Sequence, residues 1–124
     1  MIPKRRQPWL YGSIVLVFPT HISDVMLADI MSQSITYNRY PETIEMVWVE
    51  VDCVYSFEID DLLTKLFEKC DIMKIQEIIA RLKGKVLIDI SFHHYDDIYP
   101  ALLFEGKNME IIHMLNADIS IDPY

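Results

Sequence analysis

The chain has 124 residues, 52% of them apolar, so it is long enough to bury a core as one domain and too apolar to be disordered. Its 19 acidic and 11 basic residues give a net charge of −8, which argues against nucleic acid or an anionic membrane as the main partner, because both require a basic surface. The apolar run at residues 9–18 is too short to cross a bilayer, and no signal-peptide cleavage site follows it. We therefore expect a cytoplasmic protein with a basic tail at residues 1–10 and a single domain at residues 11–124.

Hydrophobic spacing divides the chain into nine predicted elements. Apolar residues that alternate or run continuously mark strands, and those at three- and four-residue spacing mark helices. Residues 33–43 show neither pattern and are predicted to form a loop. In chain order the elements are strand 14–18, helix 24–31, strand 46–54, helix 57–70, helix 72–82, strand 86–92, strand 101–104, helix 109–115 and strand 119–122.

This order predicts the α+β class. We expect a single-domain sandwich of a five-stranded mixed sheet with about four helices, in the order β-α-β-α-α-β-β-α-β. Two strand–helix–strand pieces flank the helical pair, which hints at a pseudo-duplicated architecture, although the repeat in the sequence is weak.

Several residues predict where the helices begin and end. Ser56 and Asn108 are good N-cap residues for the helices that follow them, because their side chains accept hydrogen bonds from free backbone N–H groups. Gly84 is predicted to terminate the helix at residues 72–82. Asn116 suits the left-handed conformation that ends a helix.

The two cysteines, Cys53 and Cys70, each occupy an apolar position of a predicted element. We interpret them as small buried hydrophobes in a reducing compartment, although the sequence leaves a disulfide between them open. Neither has a basic neighbour in sequence that would activate a thiolate. The three glycines are too few for a phosphate-binding loop. The sequence thus predicts a protein that is not an enzyme and needs no cofactor.

The segment His93-His94-Tyr95-Asp96-Asp97 is the one cluster that resembles a metal site, since imidazole and carboxylate groups suit zinc, iron or manganese. The candidate ligands are His93, His94 and Asp96. Adjacent residues of an extended chain point to opposite sides, however, so the two histidines are poorly placed to chelate one ion. A solvated turn between two strands is the alternative.

Two groups of residues are candidates for binding a protein partner. The predicted loop carries Tyr37, Arg39 and Tyr40, residue types that are enriched at interface hot spots, although these aromatics also suit a cap over the sheet. The C-terminal third is distinctly acidic and would steer a basic protein, although acidity also serves solubility alone. Its candidate contacts are Asp89, Asp96, Asp97, Glu105 and Asp118.

The C-terminal stretch resembles a family of bacterial proteins, the domain-of-unknown-function family 4279. The similarity lies in Pro100-Ala101-Leu102-Leu103 and in the ending Leu115-Asn116-Ala117-Asp118-Ile119-Ser120-Ile121-Asp122-Pro123-Tyr124. The helical pair at residues 57–82 and the tryptophan-bearing strand before it are similar too. The loop at residues 33–43, Ser120 and Pro123 depart from the family pattern. The resemblance implies a small bacterial cytoplasmic protein and supplies no catalytic residues.

Three hypotheses follow for the function. The first is a non-catalytic protein-interaction domain, most concretely an immunity protein or antitoxin-like inhibitor that binds a basic toxin. The second is a small-molecule or metal-binding domain that uses the turn at residues 93–97. The third is a structural domain that forms a homodimer through its last strand, if that strand lies at an edge of the sheet.

Overall fold

The computed structural model describes residues 7–19, 23, 25, 38–41, 45–93 and 100–123, with the backbone alone at residues 38–41, 45 and 47–49. Within these residues one mixed sheet packs against three helices. The strands are β1 (Trp9–Phe18), β2 (Asn38–Pro41), β3 (Glu45–Tyr55), β4 (Lys85–His93) and β5 (Asp118–Pro123). The helices are α1 (Ile59–Glu68), α2 (Ile72–Leu82) and α3 (Gly106–Leu115).

The strand order is β2-β3-β1-β4-β5, with the short β2 and the C-terminal β5 at the edges among the described strands. All neighbouring pairs are antiparallel except β4 and β5, which are parallel. Because α3 lies between β4 and β5 in the chain, these two strands form a strand–helix–strand unit, the connection that parallel neighbours require.

The core lies between the helices and one face of the sheet, which we call the proximal face; the opposite face is the distal face. Alternate residues of β1 and β4 point to the proximal face, where they form one apolar cluster with buried residues of the helices. The buried apolar residues of this core include Leu10, Ile14, Leu16, Phe18, Ile59, Leu62, Leu63, Leu66, Ile75, Val86, Ile88, Ile90 and Leu115.

Two glycines allow close approach within this core. A Cβ atom at Gly12 in β1 would lie 2.8 Å from a δ-carbon of Leu62, so the missing side chain lets α1 approach the sheet. A Cβ atom at Gly84 would lie 2.7 Å from the ring of Phe18 and 2.8 Å from Ile79. Gly84 therefore makes room for the phenylalanine ring at the end of α2.

The predicted element order is wrong in two places. The segment at residues 101–104 is not a strand, because only Ala101 bridges to Glu58, and Leu102 and Leu103 are exposed. Residues 38–41, predicted to be loop, form β2 by pairing with β3. The described residues contain three helices, and the predicted helix at residues 24–31 lies, apart from Val25, outside them. The β-α-β-α-α-β-β-α-β order is therefore replaced by β-β-β-α-α-β-α-β for the described residues.

The predicted N-caps are wrong as well, although both residues have structural roles. Glu58 and Glu105 occupy the N-cap positions of α1 and α3 without a side-chain cap bond. The Ser56 hydroxyl instead accepts a hydrogen bond from the Glu58 N–H (3.0 Å). Asn108 is buried in the first turn of α3, where its amide donates to the Asp60 carboxylate (3.0 Å) and to the Thr64 hydroxyl (2.9 Å). This bond set joins α3 to α1.

Helices α2 and α3 both end where the sequence predicts, and the left-handed residue is the predicted one in α3 but not in α2. Asn116 ends α3 in the left-handed conformation (φ 48°), as predicted. At the end of α2 that conformation belongs to Lys83 (φ 56°), and Gly84 follows it with its N–H bonded to the Ile79 carbonyl (3.0 Å). None of the helices in the described part of the chain is long and apolar enough to cross a membrane.

Candidate functional site

The distal face collects side chains from β1, β3, β4 and β5. The register places Tyr55 and His93 on either side of Trp9 in one row across the sheet. The next row holds Cys53, Tyr11, Ser91 and Asp122, and the row after it holds Val51, Ser13, Asp89 and Ser120. Residues that are far apart in sequence are therefore neighbours on this face.

Three aromatic side chains lie together at the β1–β3 side of the distal face, and we call Trp9, Tyr11 and Tyr55 the aromatic group. The ring centroids of Trp9 and Tyr11 are 5.8 Å apart, with the planes tilted by 38°. Tyr11 is 40% exposed and Tyr55 62% exposed. Exposed aromatic rings on a rigid sheet make effective binding anchors, because they bury a large area on contact and lose little conformational entropy.

Three carboxylates lie at the β5 side of the same face, and we call Asp89, Asp118 and Asp122 the carboxylate group. Asp89 is in register with Ser120 of β5. Asp118 and Asp122 lie two residues before and two residues after Ser120, so one aspartate of β5 lies on either side of Asp89 along the sheet. All three are exposed, and none forms an ion pair within the described residues. The Ser120 hydroxyl donates to Asp122 (3.1 Å). The group therefore presents concentrated negative charge to solvent.

The two groups are close enough for one ligand to contact both. Tyr11 pairs with Ser91, and Ser91 pairs with Asp122. Neighbouring strands are about 4.8 Å apart, so the aromatic and carboxylate groups are separated by roughly 10 Å in this row. Arginine and lysine side chains suit such a surface, since they pair with carboxylates and also stack on aromatic rings.

The structure brings together only part of the predicted site. Asp89 and Asp118 share the distal face, whereas Glu105 lies at the start of α3 in the helix layer, where its N–H donates to Asp60 (3.0 Å). Tyr37 and the aspartates at 96 and 97 lie outside the described residues. Arg39 and Tyr40 belong to β2, of which only the backbone is described.

The predicted metal ligands are only partly within the described chain. His93 is exposed at the end of β4 on the distal face, and His94 and Asp96 lie outside the described residues. Among the residues that the structure describes, no three histidine, cysteine or acidic side chains are grouped so that they could hold a metal ion. The metal site stays a prediction.

A cluster of charged residues lies on the proximal face, where α1 crosses β3. The Lys69 ammonium is 2.6 Å from the Asp52 carboxylate and 3.8 Å from Glu50, and Lys65 is 3.0 Å from Asp52. Burial raises the pKa of Asp52, but the hydrogen bonds from Lys69 and Lys65 together outweigh it, so this pKa lies below its usual value. The bond to Asp52 raises the pKa of Lys69.

Glu50 is the unsatisfied member of this cluster. It is only 3% exposed, and its Oε2 atom is buried without a hydrogen-bond partner among the described residues. Burial raises the pKa of Glu50 above 4.5, and the opposing attraction of Lys69 is too weak to restore it. The cluster therefore fastens α1 to β3 through Asp52, while the Glu50 carboxylate costs stability.

The two cysteines differ from the prediction and from each other. Both are free, but Cys53 is exposed on the distal face beside Tyr11, so the prediction that it is buried is wrong. Strand β3 turns Glu50 and Asp52 toward α1, which leaves Val51, Cys53 and Tyr55 facing away from the core. Cys70 is largely buried, and burial, with the nearby Glu50 charge, raises the pKa of its thiol to about 12.

Four residues of this face, Trp9, Tyr11, Tyr55 and Asp122, are not among the binding candidates predicted from the sequence. The available signal was alternation: Trp9 and Tyr11 are two residues apart in β1, and Tyr55 continues the alternate positions of β3. Strand β1 begins at Trp9, inside the predicted tail. The pairing of β1 with β3 and β4, which brings the three rings to one corner, depends on the register of the sheet.

Comparisons with known proteins add no relatives. The chain matches no family model, and neither a curated protein nor a solved structure matches it. The resemblance to the family of unknown function therefore stays a prediction.

Proposed function

We propose that this chain is a small, acidic, non-catalytic interaction domain that binds a basic protein through the distal face of its sheet. The supporting observation is the presence of the aromatic group and the carboxylate group on one face, about 10 Å apart. In its most concrete form the domain is an inhibitor of a basic toxin, as an immunity protein or an antitoxin is.

The aromatic group and the carboxylate group correspond to two kinds of contact that are usual at a protein interface. Buried aromatic anchors supply most of the binding energy, and charges around them supply specificity and a fast encounter. Tyr11 and Tyr55 are exposed and would lose most of their water contact beneath a partner. The carboxylate group lies beside them, where lysine or arginine side chains would relieve its mutual repulsion.

The net charge supports the same choice of partner. At −8, the whole chain attracts a basic protein over a distance of about one Debye length, roughly 8 Å at physiological ionic strength. Salt above this strength weakens such an encounter, which provides a simple test of its electrostatic origin.

The experiment is affinity capture of a basic protein from the cells that produce the chain, with three versions of the chain as bait. The first is the natural sequence. The second removes the carboxylate group, and the third removes the same number of charges from exposed positions of the three helices. The distal variant is Asp89→Asn, Asp118→Asn and Asp122→Asn; the matched control is Glu68→Gln, Glu77→Gln and Glu110→Gln.

The proposal predicts one stoichiometric basic protein on the natural and control baits and at least a tenfold smaller yield on the distal variant. Raising the salt from 0.1 M to 0.5 M should release that protein. Equal capture by the distal variant, or a captured partner that is acidic, would contradict the proposal. Circular dichroism of all three baits separates a binding defect from misfolding.

A further inference from the structure

Within the described residues, the outer edge of β5 has no paired strand. β5 hydrogen-bonds to β4 on one side, and within the described part of the sheet no strand lies on its other side. An edge strand presents unpaired N–H and C=O groups in a row and can accept an additional strand. A partner that covers the carboxylate group lies directly beside this edge, because two of the three carboxylates belong to β5.

The side chains of β5 specify what kind of strand fits. Asp118, Ser120 and Asp122 point to the distal face, and Ile119 and Ile121 point to the proximal face beside the core. The two isoleucines are only partly buried. An added strand would continue both rows, so its alternate side chains would lie next to aspartates on one face and next to isoleucines on the other.

The charge of β5 favours pairing with a basic strand over pairing with a second copy of this chain. If β5 paired with its own copy with the faces matched, Asp118 and Asp122 of one chain would lie opposite or diagonal to the same aspartates of the other. Like charges in such positions disfavour pairing. A strand with lysine or arginine on the distal side would pair with the aspartates of β5, and apolar residues on its proximal side would pack beside the isoleucines.

We infer that the basic partner adds a strand to β5 in which lysine or arginine alternates with apolar residues. This inference rests on the proposed function and makes it specific: the distal face contributes side-chain contacts, and the β5 edge contributes backbone hydrogen bonds. The alternation of the partner strand is set by the period of two in β5.

Synthetic peptides test the inference with the full chain. The first has seven residues, alternating lysine and valine. The second has the same composition with the lysines and valines in separate blocks, so that charge is kept and alternation is lost. The third is the alternating peptide methylated on every backbone nitrogen, and the fourth replaces lysine with glutamate. Affinity is measured by calorimetry, and hydrogen exchange is followed at residues 118–122.

The inference predicts that the alternating lysine peptide binds at least tenfold more tightly than the blocked and the methylated peptides. The glutamate peptide should not bind. The alternating peptide should slow amide exchange at residues 118–122, since Pro123 has no amide hydrogen, and leave α2 unchanged.

Three results would overturn the inference in distinguishable ways. If all lysine peptides bind equally without protecting β5, the partner uses side chains alone, so the strand addition is wrong and the proposed function stands. If no lysine peptide binds and the capture experiment returns no basic protein, the proposed function is wrong as well. Concentration-dependent protection of β5 without peptide, with the mass of a dimer, would identify a second copy as the occupant.

Discussion

Replacing Glu50 with glutamine tests the interpretation of the charged cluster most sharply. The carboxylate is 3% exposed, and within the described part of the chain one of its oxygens has no hydrogen-bond partner. The Lys69 ammonium is 3.8 Å from the other oxygen. A buried unsatisfied polar group costs about 1–3 kcal/mol, and a charged one costs more. Glutamine removes the charge but keeps one unsatisfied polar group, so we expect Glu50→Gln to stabilise the fold by about 1 kcal/mol at pH 7.5.

The effect should depend on pH with a definite sign. Because the pKa of Glu50 in the folded protein lies above 4.5, the folded state binds this proton more tightly than the unfolded state. Ionised Glu50 therefore costs stability above the folded pKa, and that cost disappears as the pH falls toward 4.5. The advantage of the glutamine variant should accordingly be full at pH 7.5 and shrink as the pH approaches 4.5.

Thermal unfolding followed by circular dichroism at pH 7.5, 6.0 and 4.5 measures this difference. For a chain of this length, 1 kcal/mol corresponds to a shift in Tm of about 4 °C. Glu77→Gln is the matched control: its ion pair with Arg81 is exposed, and we expect it to contribute less than about 0.5 kcal/mol. A lower Tm for Glu50→Gln at pH 7.5 would refute the reasoning, because attraction to Lys69 would then outweigh the cost of burial.

Two further predictions concern the glycines and the cysteines. Gly84→Ala should destabilise the fold by about 1–3 kcal/mol in urea unfolding, because its new Cβ atom would overlap a phenylalanine ring at 2.7 Å. Gly106→Ala, with no atom within 4 Å, should be neutral or slightly stabilising, and an equal loss for both variants would contradict this. Iodoacetamide at pH 8 should alkylate Cys53 in the folded protein and spare Cys70, whose pKa of about 12 leaves almost no thiolate. Native alkylation of Cys70, detected by peptide mass spectrometry, would contradict its burial.

The sequence predicts the helical pair and most of the strands, because their patterns are strong and local. The helices at residues 57–70 and 72–82 appear as α1 and α2, and strands appear near 14–18, 46–54, 86–92 and 119–122. The strand predictions are wrong where pairing with a neighbouring strand, rather than the local pattern, determines whether a segment forms a strand. Residues 38–41 form β2 through pairing with β3, although they show no alternation of their own. Residues 101–104 have the composition of a strand but pair only at Ala101.

The sequence does not predict which face of β3 meets the helices, for a different reason. Alternation separates its acidic face from its apolar face but does not say which one meets the core. Usually the apolar face is buried. Here Lys65 and Lys69, more than ten residues further along the chain, compensate Asp52 on the buried side. Because of this inversion, Cys53 and Tyr55 face away from the helices, and the aromatic group forms on the distal face.

The candidate surface was therefore only half predictable. The acidity of the C-terminal third pointed to Asp89 and Asp118, but the place of Asp122 beside them depends on the parallel register of β4 and β5. Glu105 is also acidic, but it lies in the helix layer and not on the distal face. A list of acidic residues along the chain thus cannot distinguish a concentrated patch from scattered solvated charges, whereas the sheet register can.

If a basic partner covers the distal face, it should slow the alkylation of Cys53, a rate that can be measured with the captured partner present. Cys53 lies beside Tyr11 on the distal face and is exposed in the free chain. At saturating partner concentration we predict at least a tenfold slower alkylation, restored when 0.5 M salt dissociates the complex. An unchanged rate, with the partner shown to be bound, would place the interface elsewhere, and the proposed role of the distal face would be wrong.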